Sequence, residues 1–114
     1  MENEERMQAR ANLDKEQRYF RVAAKKASNY PNWLRRVRQV LGVRATEMPR
    51  KLEVSKSVIF RLEKSEDKKT ISLKALEKMA NAMDCKLVYA VVPRRGETLV
   101  ELAEMRRWVR KLGK

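Results

Sequence analysis

Side chains able to make or break covalent bonds are scarce in this chain. It has no histidine and one cysteine, Cys85, in 114 residues. A thiol with no imidazole to activate it is a poor nucleophile. One cysteine without histidine cannot furnish a zinc site either. The three glycines are scattered, so no glycine-rich phosphate loop exists. Carboxylates such as Glu47, Glu63 and Glu101 read as solvated helix charges or ion-pair partners, and the six methionines as core filler. Neither an enzyme nor a cofactor or metal protein is expected.

Positive charge is what the chain has in quantity. Twenty-eight Lys and Arg face fifteen Asp and Glu, a net charge of +13. Such an excess favours nucleic acid or an anionic surface, because binding releases condensed counterions. The charge is also clustered. Residues 31–64 hold nine bases against three acids, and residues 93–114 hold seven against three. Within the first cluster, Lys56, Ser57, Phe60 and Arg61 occupy the exposed positions of a short amphipathic stretch. They offer donors, a hydroxyl and an aromatic edge, the groups that read bases in a major groove. Phe60 suits a thymine methyl and an apolar interface equally. The plain alternative is a helical hairpin with a basic, solvated face.

Those four residues need a scaffold, and periodicity supplies a mostly α one. Residues 5–27 predict a polar helix with a ragged apolar stripe, ended by Asn29-Tyr30-Pro31-Asn32. Leu34, Val37, Val40 and Leu41 then recur at helical spacing, with Arg35, Arg36, Arg38 and Gln39 assigned to the opposite face and Gly42 to the stop. A short second helix is expected over 44–52, burying Met48 and Leu52. After the turn at Glu53-Val54, Ser55 is expected to cap a third helix with Ile59 and Leu62 inward. Lys64 to Thr70 reads as a loop, and a fourth helix follows Ser72. The period then changes: Leu87, Val88, Tyr89, Ala90, Val91 and Val92 predict one strand, stopped by Pro93. A final amphipathic helix carries Leu99, Leu102, Met105, Val109 and Leu112.

Second and third helices joined by so tight a corner form a helix-turn-helix. Leu52-Glu53-Val54-Ser55-Lys56-Ser57-Val58-Ile59-Phe60-Arg61-Leu62-Glu63 resembles the pattern Leu-Gly-Val-Ser-Gln-Ser-Thr-Ile-Ser-Arg-Leu-Glu of Xre-like domains, the type of phage Cro and repressor proteins. Ser72-Leu73-Lys74-Ala75-Leu76 resembles the start of that family's last core helix. The resemblance covers residues 33–84 and implies a five-helix-type fold binding double-stranded DNA. It places Lys56, Ser57, Phe60 and Arg61 at the bases, and Arg44, Lys64, Lys68 and Lys69 at the phosphates. Two positions depart from the pattern. Glu53 stands at the turn glycine, which at positive φ stores of order 1 kcal/mol. Pro49 stands at a small helix residue, so helix two is expected to begin late or bend, with Thr46 as its cap.

A narrower resemblance rests on Asp84-Cys85-Lys86-Leu87-Val88-Tyr89-Ala90-Val91-Val92-Pro93, the Ala11-Asn12-Leu13-Asp14 helix and the Trp33-Leu34-Arg35 opening. These look like the "mobile mystery protein A" family, Xre-like proteins of mobile elements encoded beside a Fic-domain partner. That arrangement implies a toxin–antitoxin pair. The expected organisation is thus a helical extension over 1–30, the DNA-binding domain over 31–84, and a strand-plus-helix tail over 85–114. The tail serves dimerisation or partner binding. An unpaired strand over 87–92 is expected to join the same strand of a second copy, giving a homodimer. Two functions remain open: an operator-binding repressor, and an antitoxin whose main work is neutralising its partner. An RNA-binding module ranks below both for want of aromatics on a sheet. Without disulfides, a signal sequence or a long apolar run, a cytoplasmic protein with no membrane span is expected.

Overall fold

In the computed structural model, residues 2–26 and 32–113 are described, Lys51 by its backbone alone. Seven helices form among them: α1 (Asn3–Glu16), α2 (Arg18–Lys26), α3 (Trp33–Val40), α4 (Met48–Leu52), α5 (Lys56–Asp67), α6 (Leu73–Ala82) and α7 (Leu99–Leu112). The chain is mostly α, as its periodicity requires. It divides into a central unit, residues 28–88, and a flanking unit made of residues 1–27 and 89–114. The helix stop expected at Asn29-Tyr30-Pro31 lies outside the described residues.

In the central unit, α3, α4, α5 and α6 close around Leu34, Ala45, Met48, Ile59, Met79, Ala82 and Met83. Met48, Ile59 and Met79 are fully buried, one from each of three helices. Ser72 caps α6 by accepting the Ala75 N–H at 3.0 Å. Two carboxylates do the other structural work. Glu66 on α5 accepts the backbone N–H groups of Trp33 and Leu34 at 3.1 and 2.9 Å, filling the cap that Asn32 leaves empty. Glu63 is buried and takes the Arg38 guanidinium in a two-pronged pair at 2.6 and 3.1 Å. The Glu63 hydrogen bond and charge hold the Arg38 proton more firmly than usual, outweighing the opposing effect of burial.

Arg38 therefore corrects the expected outward face of α3. It lies four residues after Leu34, on the apolar stripe, and Glu63 lies four after Ile59. The stripes run inward whatever the charge upon them. Arg35 is likewise engaged, reaching Asp67 at 2.9 Å and Glu63 at 3.7 Å.

In the flanking unit, α1 packs on α7. Thr98 and Glu101 form a capping box at the start of α7. Its first N–H groups, of Leu99 and Val100, also reach the buried Asp14 carboxylate at 2.7 and 3.2 Å. The single helix expected over 5–27 is instead two, broken at Gln17. There the Gln17 amide donates to the Val91 carbonyl at 2.7 Å, a bond across 74 residues that no local pattern announces.

The strand expected over 87–92 does not form within the single chain. Residues 85–93 carry no regular structure, and no strand forms among the described residues. A strand exists only as one side of a ladder, and the described chain brings no second extended segment beside this one.

Candidate nucleic-acid interface

The corner between α4 and α5 is built by backbone geometry. Pro49 sits in the first turn of α4, where its missing N–H costs nothing. Helix α4 begins late, at Met48, and Arg44 stands outside it in the preceding loop. Glu47 rather than Thr46 occupies the cap position, without a side-chain cap. At the other end Glu53 adopts φ 58°, the left-handed turn expected of a glycine, and its N–H closes on the Pro49 carbonyl at 2.6 Å. A non-glycine residue held there stores about 1 kcal/mol or more. The chain then turns within Glu53-Val54-Ser55 and enters α5.

Ser55 has the extended backbone of a cap, but its hydroxyl does not cap α5; it bonds the Ser57 hydroxyl at 2.9 Å. Ile59 and Glu63 anchor the inner side of α5. On the outer side Lys56, Ser57, Phe60, Arg61 and Lys64 are all exposed. Their spacing keeps them within about 140° of the helix circumference. The structure thus brings the four expected base-reading residues onto one face, with Lys64 at its centre.

Phe60 is half-exposed and lies between two cations. Lys56 Nζ stands 5.6 Å from its ring centre and Arg38 Cζ 5.9 Å. The ring sits at the edge of the buried Arg38–Glu63 pair, coupling the exposed face to the interior. Arg61, by contrast, has no side-chain partner among the described residues.

Of the four expected phosphate-binding residues, Lys64 lies on α5, whose last turn extends through Asp67 beyond the expected loop start. Lys68 and Lys69 form the turn that follows, the latter at φ 59°. Arg44 is exposed in the loop ahead of α4. All four are exposed, and Arg35 and Arg38 are held in internal pairs.

No family model, curated protein or solved structure matches this chain.

Proposed function

We propose that this chain is a sequence-specific DNA-binding regulator, reading an inverted-repeat operator as a homodimer and repressing transcription there. The carrying observation is the outer face of α5. Donors, one hydroxyl and one aromatic ring stand on a helix whose buried Ile59 packs in a core with Met48 and Met79. A helix so presented can enter a groove roughly 12 Å wide. In the paired arrangement implied by the mobile-element resemblance, the same chain is the autoregulating antitoxin of a Fic-domain toxin. Direct neutralisation of that partner is the second reading, favoured by the apolar surface of α7.

Arg61, exposed on that face, is the side chain proposed to bridge a guanine. Replacing it with alanine is expected to weaken operator binding by about 1–3 kcal/mol and to flatten preference at one position per half-site. Binding-site selection with the wild type and the variant checks this. An unchanged preference would remove α5 from the base-reading role.

The homodimer is proposed to form by antiparallel pairing of residues 87–92. Val88, Tyr89 and Val91 are exposed there, at 64%, 67% and 84%, on backbone that no ladder occupies. Open strand edges recruit partners. Sedimentation at micromolar concentration should give twice the chain mass, and a proline at Ala90 should return it to one. A wild-type monomer would defeat the pairing.

A further inference from the structure

The flanking unit holds a concave surface for which DNA recognition has no use. A groove of about 740 Å³ runs between the loop at 92–97 and α7. Its floor is apolar, formed by Pro93, Leu102, Met105 and Val109, and its rim carries Arg94, Arg95, Arg106 and Arg110. None of these four guanidiniums has an ion-pair partner among the described residues. Glu97 also lines the groove, but its carboxylate already accepts the Arg95 backbone N–H at 3.0 Å.

The apolar floor continues past the groove. Leu102, Met105, Val109 and Leu112 recur at intervals of three, four and three, a single seam along α7 about 15 Å long. Val109, Leu112 and the neighbouring Trp108 are each more than 60% exposed. An uncovered aromatic-aliphatic strip beside four arginines has the composition of a protein-binding surface.

Charge selects the occupant. A nucleic-acid strand would satisfy the arginines yet leave the floor without an apolar partner, because phosphate contacts bury little hydrocarbon. A second copy would bring its own arginines against these. The last two turns of α7, residues 105–112, hold four bases and no acid. Like charges set face to face oppose association. We propose that the groove takes an acidic amphipathic helix from a partner protein. Its leucine-like side chains seat on Leu102, Met105 and Val109, and its carboxylates reach the four rim arginines. This site is independent of the α5 face.

The test is a selection from a displayed library of random 16-residue peptides on the full chain. Winners are then measured by fluorescence anisotropy and by the emission of Trp108. Enriched peptides are expected to combine Leu, Ile or Phe at helical spacing with several Asp or Glu. The charge-reversed R106E/R110E should weaken them at least tenfold with helix content unchanged, and V109D similarly. R61A should leave them unaffected while losing operator preference, so the two proposals fail separately. Enrichment of acidic peptides lacking apolar anchors would overturn the proposal, as would displacement of the peptide by a short DNA duplex at equal concentration. Binding untouched by R106E/R110E would overturn it too. So would V109D converting a dimer to monomer, since that would assign the groove to a second copy.

Discussion

Replacing Arg38 with alanine is expected to destabilise the central unit by about 3–5 kcal/mol, among the largest losses any single substitution produces. The substitution leaves the Glu63 carboxylate buried, 1% exposed, without the two-pronged partner that holds it. Arg35 Nε, 3.7 Å away, remains and keeps the loss toward the lower end of that range. Removing both charges together, as Met at 38 and Leu at 63, should restore most of the stability, because the desolvation cost disappears with the pair. Arg35→Ala breaks a more exposed pair and should cost about 1 kcal/mol or less. Urea unfolding followed through Trp33, in a chain whose Trp108 is phenylalanine, reads the central unit. A loss below 1 kcal/mol for Arg38→Ala would show that water reaches the pair.

The second large effect is on DNA affinity, through salt. Four exposed bases per chain, Arg44, Lys64, Lys68 and Lys69, give about eight phosphate contacts in a dimer, hence a log–log salt slope near −7. Between 50 and 200 mM salt, affinity should therefore fall by about four orders of magnitude. The internal commitments of Arg35 and Arg38 remove them from the sum. Anisotropy titrations of an operator duplex across this range measure the slope. A value shallower than about −3 would mean that few of these residues meet phosphate, and would shift the meaning of the charge toward protein partners.

Legibility from sequence followed the range of the interactions involved. Helices α3, α6 and α7 were readable because their apolar residues repeat within a few positions. Glu53 at positive φ and the late start of α4 were readable because glycine-like turns and proline act on their own backbone. The break at Gln17 was not; the Val91 carbonyl that its side chain meets there lies 74 residues away. Nor was the capping of α3 by Glu66 or of α7 by Asp14, for the same reason. Thr98 and Glu101, three apart ahead of an apolar run, did carry a local capping signal that periodicity alone passes over. Charge alone sets Arg38 and Glu63 outward, whereas their places in the stripes Leu34–Arg38 and Ile59–Glu63 set them inward, where both are buried. In the proposed site, the exposed face of α5 was legible by spacing. The Arg38 guanidinium beside the Phe60 ring was not, because it comes from α3.

A ribosome delivers Asp14 some 85 residues before the backbone N–H groups that it will hold. At ordinary elongation rates that interval is roughly 4–17 s. By its end α1 and α2 have existed without α7, while the partners for the contacts within residues 32–88 have all been made. The order of synthesis therefore runs opposite to the nesting of the fold: the middle can close first, and the two ends settle last. A nascent chain passes through a stage with its α5 face complete and its α7 groove unmade.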